Sequence, residues 1–199
     1  MTKKEEQQEI KVILVGETFT GKTSLINTAI GLKFVENKEM TTAAANFVNK
    51  EFTIDGKKYI TNLWDTIGQE KFRSLTKIFI KDSKIVVFVF DITNKNSFKE
   101  LNFWMNAIEE ILGVDAILGI AANKQDLYDK EQVKEEEIEK FANEKNIPYR
   151  YTSAKNPKLF TSFLEDLLKK YIEKCDGNVE GSSGKKLEKG KDGKKRKYC

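Results

Sequence analysis

Two short runs of the chain are apolar at every position: Val12-Ile13-Leu14-Val15 and Ile85-Val86-Val87-Phe88-Val89-Phe90. A strand with one wet face alternates, whereas a strand covered on both faces does not. These runs therefore predict the middle of a sheet packed by helices above and below. The first run extends to Ile10–Val15, and further β-rich stretches stand at Asn46–Ile54, Lys58–Trp64, Ala116–Ala122 and Pro148–Tyr151. Asp55-Gly56 separates the second and third stretches, a two-residue hairpin signal that makes this pair antiparallel in an otherwise parallel sheet. Helical patterns fall between the strands, starting after Gly21, near Glu70, at Ser97, near Glu131 and near Lys158. Ser97 with Glu100 reads as a capping box ahead of Leu101, Trp104, Met105, Ile108 and Ile111-Leu112, which recur at helical spacing. The expected architecture is one α/β domain: a six-stranded, mostly parallel sheet with one antiparallel edge strand, and about five helices on its two faces.

Length and composition agree with one domain. At 199 residues, 39% apolar and 33% charged, the chain can bury one proper core. No apolar run reaches the ~18 residues of a membrane span, and the polar Met1–Glu9 segment is unlike a secretion signal. The cysteines, Cys175 and Cys199, lie at and beyond the end of the patterned region, where they cannot staple a core, so the cytosol is the default compartment. Of 35 basic and 31 acidic residues, eight and four lie in Asp176–Cys199, leaving 27 of each in residues 1–175. The body thus carries no net positive charge to suggest a nucleic-acid surface. Residues 1–8 form a polar extension, 9–174 the folded domain, and 175–199 a basic tail with almost nothing to bury, expected to be disordered.

Gly16-Glu17-Thr18-Phe19-Thr20-Gly21-Lys22-Thr23 fits the phosphate-loop pattern G-x-x-x-x-G-K-[ST]. Glycines let the backbone wrap tightly, N–H groups point inward, and the following helix adds its positive end. Lys22 then reaches the β- and γ-phosphates, and the Thr23 hydroxyl binds Mg2+. The loop follows a buried strand and opens a helix, the context the motif requires. It identifies a nucleoside triphosphate without identifying its base. Asn123-Lys124-Gln125-Asp126 ends the fifth strand, and a carboxylate there accepts from both N1–H and the N2 amine of guanine, which adenine cannot match. A site built to pair such hydrogen bonds rejects the wrong base by ~10⁴-fold.

These motifs resemble the Ras superfamily of small GTPases, and most closely its Rab family, over roughly residues 9–174. Five motifs stand in the family's order: Gly16–Thr23, Thr42 ahead of Phe47, Trp64-Asp65-Thr66-Ile67-Gly68-Gln69-Glu70, Asn123–Asp126, and Thr152-Ser153-Ala154-Lys155. The Rab likeness rests on Trp64–Thr66 running into Gly68–Arg73, and on Phe90-Asp91-Ile92-Thr93-Asn94 with Ser97-Phe98. The resemblance implies a P-loop GTPase domain that binds GTP or GDP with Mg2+, hydrolyses GTP and changes its surface when the third phosphate is lost.

By the same resemblance, Gly16–Thr23 with Ser24 hold the phosphates, and Asn123 and Asp126 read the guanine. Lys124 packs along the ring, Ser153, Ala154 and Lys155 complete the base pocket, and Phe34 stacks on the base edge. Asp65 holds Mg2+ through a water, alongside Thr23 and Thr42. The Gly68 N–H senses the γ-phosphate, and Gln69 orients the attacking water beside Lys22. Hydrolysis is positioning plus electrostatics. No residue stands as an evident arginine finger, Arg73 being a weak candidate, so slow intrinsic turnover accelerated by an activating protein is expected. Phe47, Trp64 and Phe79 match aromatics that Rab proteins show to effectors; for Phe79, a plain core role is the equal alternative. Implied partners are an exchange factor, a GTPase-activating protein and effectors, with the chain itself a monomer.

The sequence departs from the family in places. Ile67 stands where alanine is usual and stiffens the second switch. Thr18 occupies a position near Gln69 where many relatives have glycine or serine, and Ala43-Ala44-Ala45 replaces a bulky aliphatic followed by glycine. These motivate a second reading, a GTP-binding scaffold with little hydrolysis. A third, an adenylate-type P-loop kinase, predicts ATP binding instead. Lys194-Lys195-Arg196-Lys197-Tyr198-Cys199 ends the chain with one cysteine, where Rab proteins normally carry two geranylgeranylated ones. A single lipid on Cys199, helped by the basic cluster at ~1 kcal/mol per cation, would anchor the chain to the cytoplasmic face of endomembranes. A solvated tail and a nuclear-import-like string fit the same residues.

Overall fold

The computed structural model describes residues 9–36, 46–66, 78–113 and 115–180. Six strands form one sheet: β1 Glu9–Val15, β2 Asn46–Ile54, β3 Lys57–Asp65, β4 Ile85–Asp91, β5 Ile117–Asn123 and β6 Tyr149–Tyr151. Their order is β2-β3-β1-β4-β5-β6, and every pairing is parallel except β2 with β3. The hairpin turns where expected. Asp55 and Gly56 both take positive φ, 50° and 77°, so the turn is of the type whose twist matches the strands it joins.

The apolar runs divide by parity. Ile10, Val12 and Leu14 of β1, with Ile85, Val87 and Val89 of β4, face one core cluster. The odd positions Ile13 and Val15 join Val86, Phe88 and Phe90 in the other. The first cluster is closed by Leu25 and Ile26 of α1 (Lys22–Ala29) and by Phe160, Leu164 and Leu167 of α5 (Pro157–Glu180). The second is closed by Leu101, Trp104 and Ile108 of α3 (Leu101–Leu112) and by Ile138 and Ala142 of α4 (Glu135–Lys145). All these strand side chains are fully buried, each contributing about 1.5–3 kcal/mol of burial free energy.

Three local expectations are corrected. The helix of Ser97 begins earlier, as the short α2 (Lys95–Lys99), and its cap is Asn94, whose side chain accepts from the N–H groups of Asn96 and Ser97. Ser97 is buried instead, its hydroxyl accepting from Asp91 N at 3.0 Å and donating to Asn94 O at 2.7 Å, and Glu100 is the joint to α3. The helix expected near Glu131 starts at Glu135. Residues 125–130 form a 3-10 helix, and Gln132 and Val133 donate their N–H groups to Ile92 O while Val133 fills the core. The last helix reaches Glu180, past Asp176, where order was expected to stop. The helix expected near Glu70 lies outside the described residues.

Candidate functional site

The loop after β1 is shaped by close approach. Gly16 has φ 146°, and a Cβ there would sit 2.1 Å from the carbonyl oxygen of Val89. Gly21 has φ 93°, and its Cβ would meet Asn123 Nδ2 at 2.4 Å. Between them Phe19 takes φ 63° and points its ring outward, 63% exposed. Lys22, 5% exposed, folds back so that its ammonium donates to the carbonyl oxygens of Gly16 and Glu17, each at 2.8 Å. Burial pulls its pKa down to about 8, against the opposing pull of the Asp65 and Glu17 carboxylates. α1 begins here, so its first-turn N–H groups and positive end face the same space.

Thr23, on α1, donates its hydroxyl to Asp65 Oδ2 at 2.6 Å, joining the loop to the end of β3. Thr66, the next residue, is buried and donates to Leu14 O at 2.7 Å, which fixes that strand end against β1. Among the described residues no three His, Cys, Asp or Glu side chains gather to hold a metal by themselves. Thr23 and Asp65 instead supply one hydroxyl and one carboxylate, the donor set with which Mg2+ is held in partnership with phosphate oxygens. The Thr18 hydroxyl is buried with no hydrogen-bond partner among the described residues, as suits a loop built around an added acceptor. The residues present fit both groups.

At the end of β5, Asn123 is 1% exposed and spans two motifs. Its amide donates to Thr20 O at 2.7 Å, and its Oδ1 accepts from Thr152 at 3.2 Å. Lys124 takes φ 65° and pairs with Asp91 Oδ2 at 2.7 Å; Asp91 Oδ1 accepts from both the N–H and hydroxyl of Thr93. Asp126 accepts from Ser153 Oγ at 2.5 Å, and Lys155 Nζ lies 3.3 Å from its other oxygen. Burial pushes the Asp126 carboxyl up, but the hydrogen bonds from Ser153 and Lys155 outweigh it, and its pKa ends below the ordinary value. Ala154 is buried beside them. A cavity of about 290 Å³ separates Thr23, Ser24 and Asn27 from the 32–35 loop and Phe34.

The aromatic trio is assembled as well. Phe47 and Trp64 stack with ring centroids 4.9 Å apart, and Phe79 lies 5.9 Å from Trp64. Phe47 is 46% exposed, while Phe79 is half-buried and packs on the second core cluster, which fits the core role weighed for it and leaves part of its surface outside the core. Thr42, Gly68, Gln69, Ile67, Arg73, Ala43–Ala45 and Cys199 lie outside the described residues. Sequence reasoning missed the working of Thr20, Asp91 and Trp104. Trp104 Nε1, in α3, donates to Glu17 Oε1 at 3.3 Å and so braces the phosphate loop. A signal for Asp91 was present: it ends β4 in register with Asn123.

The sequence model of the Ras family matches residues 11–173. The chain is similar to Ras-related protein Rab-21 of Bos taurus, 37% identical over 167 residues that cover 82% of this chain and 73% of that one. It is similar to the Homo sapiens Rab-21 at 37% identity, covering 82% and 72%, and to that of Mus musculus at 35% over 184 residues, covering 87% and 81%.

Proposed function

We propose, on the premise that the chain belongs to the Ras family and within it to the Rab proteins, that the residues gathered at the carboxyl edge of the sheet form its GTP/GDP and Mg2+ site. The chain is a Rab-type GTP hydrolase that regulates membrane trafficking. In the proposed division of labour, Lys22 and the N–H groups of Gly16–Ser24 hold the phosphates, and Lys22 leaves its two carbonyl partners to meet them. Thr23, Thr42 and Asp65 hold Mg2+, which when bound neutralises charge on the phosphate oxygens. Gln69 orients the attacking water, and the Gly68 N–H and Thr42 respond to the presence of the third phosphate, so that both loops relax when it is lost. Asp126 accepts from the guanine edge. Asn123 fixes the base pocket to the phosphate loop, Lys124 and Phe34 flank the ring, and Ser153, Ala154 and Lys155 close the far side.

Phe47, Trp64 and Phe79 present the effector surface, and regulators of exchange and hydrolysis act on the flanking loops. The chain works as a monomer, moving between the cytosol and the cytoplasmic face of endomembranes. A lipid on Cys199 with the basic tail provides the anchor, in keeping with the lack of any described helix long and apolar enough to cross a membrane.

One observation carries this reading. The hydrogen bond from Asn123 to Thr20 O joins two motifs more than a hundred residues apart, which supports reading base and phosphate recognition as parts of one pocket. The test is competition against a fluorescent GDP on nucleotide-free protein. GDP displaces the probe and ADP does not, and Asp126→Asn lowers GDP affinity by ~10⁴-fold, because one of the two carboxylate acceptors becomes an amide NH2 donor facing the donors of guanine. Equal competition by ADP, or an unchanged Asp126→Asn variant, overturns the assignment.

A further inference from the structure

We propose that Glu36 is a positioning residue that latches the 31–36 loop over the base pocket and slows release of guanine nucleotide, an inference that rests on the pocket assigned above. Lys155 is the hub. Its Nζ lies 3.0 Å from Glu36 Oε1, 3.3 Å from Asp126 Oδ2 and 5.7 Å from the centroid of the Phe34 ring. One ammonium therefore joins the proposed guanine-reading carboxylate, the aromatic proposed to flank the base and the carboxylate at the end of the 31–36 loop. The lysine is itself placed by local structure: its N–H donates to Ser153 Oγ, and Ser153 bridges to Asn156. Its pKa is raised, first by the hydrogen bond to Glu36 and then by that to Asp126.

Among the described residues the loop has little else to hold it. The N–H groups of Gly31 and Leu32 bond to Thr28 O and Asn27 O at the end of α1. Residues 33–36 make no backbone hydrogen bond among the described residues. Leu32 and Val35 are more than half exposed, and Phe34 is 38% exposed. Closure thus depends on side chains, and Glu36 provides the ionic one. A lone exposed ion pair contributes almost nothing, because ordering two long side chains offsets its Coulomb energy. Here Lys155 is already ordered by Asp126 and Phe34, so Glu36 meets a cation held in place. Departure of the base requires Phe34 to swing away, which carries the loop and Glu36 with it.

The experiment measures release of a fluorescent GDP from the full chain, chased with excess GDP in Mg2+. Glu36→Gln releases it about threefold faster than wild type at low salt, and the difference closes at roughly 0.5 M NaCl as the ion pair is screened. Glu36→Asp keeps most of the wild-type rate. Adding Glu36→Gln to Lys155→Met produces no further acceleration, and the preference of Glu36→Gln for GDP over ADP equals that of wild type. A latch is excluded if Glu36→Gln and wild type release alike at low salt. It is excluded also if the acceleration survives high salt or the Lys155→Met background. Wild type lacking any guanine preference removes the pocket and the latch together; guanine preference with unaltered release removes the latch alone.

Discussion

Lys22 gives the proposed site a measurable proton signature. The ammonium is buried against two carbonyl oxygens at 2.8 Å, and burial brings its pKa from 10.5 to about 8 although Asp65 and Glu17 pull the other way. A bound phosphate chain supplies the negative charge that burial lacks and restores the protonated form, so binding takes up a proton in the window between the two values. With a pKa of about 8 in the nucleotide-free protein, uptake is about one-tenth of a proton at pH 7 and about one-half at pH 8. GDP affinity correspondingly weakens about twofold over that unit, and more steeply above it. Calorimetric titration of nucleotide-free protein with GDP, in two buffers of different ionisation enthalpy at each pH, yields the proton number directly. In Lys22→Arg the guanidinium stays charged throughout, and the number at pH 8 falls toward zero. The same displacement makes the empty protein gain stability as pH rises from about 8 to 10.5, where the unfolded chain still holds the proton that the folded one has lost. Uptake at pH 8 below about one-tenth, or equal uptake in wild type and Lys22→Arg, refutes the placement of this ammonium.

Two further outcomes test neighbouring parts. Gly16→Ala forces a methyl to within 2.1 Å of Val89 O at φ 146°, and is expected to cost on the order of 3 kcal/mol, read as a lowered urea midpoint. Gln69→Leu is expected to slow single-turnover GTP hydrolysis by at least about tenfold when cell extract supplies an activating protein. A rate matching wild type would take the water-orienting role away from Gln69.

The central strands were legible because burial on both faces leaves only one pattern, an unbroken apolar run. β1 and β4 were placed to within a residue at each end, and the Asp55-Gly56 turn was legible because only a few residues accept positive φ. Helix starts were harder. Ser97 and Glu100 form a credible capping box, yet Asn94 sits three residues earlier with a side chain equally able to accept N–H groups, and the Ser97 hydroxyl is drawn into the buried turn after β4. Near Glu131 a helix was expected, but Val133 is buried in the core, and the segment before α4 stays out of helical geometry, with Glu131 and Lys134 extended. Within the proposed site, Gly16–Thr23 and Asn123–Asp126 were readable from motif spacing, and the other residues proposed to touch ligand only from the family resemblance. Those that hold the pocket to itself, such as Thr20 through its backbone oxygen and Trp104 from α3, were not, since a carbonyl carries no sequence signature and a tryptophan at helical spacing looks like core.

The topology explains why the proposed site takes its order along the sheet. β1 lies between β3 and β4, so the chain leaves it toward one side through α1 and the hairpin, and returns on the other side as β4. Such a reversal opens a crevice at the carboxyl ends of the parallel strands. Reading across that edge gives Asp65 at the end of β3, Gly16 after β1, Asp91 at the end of β4 and Asn123 at the end of β5, with Ser153 just beyond β6. The proposed metal-binding carboxylate, phosphate-holding loop and base pocket thus fall in the linear sequence that an extended nucleotide presents. The spacing is set by strands about 4.8 Å apart rather than by any flexible segment. Substitutions at this edge should therefore change nucleotide handling, whereas equally buried positions at the opposite edge, such as Ile10 and Ile85, should register only in stability.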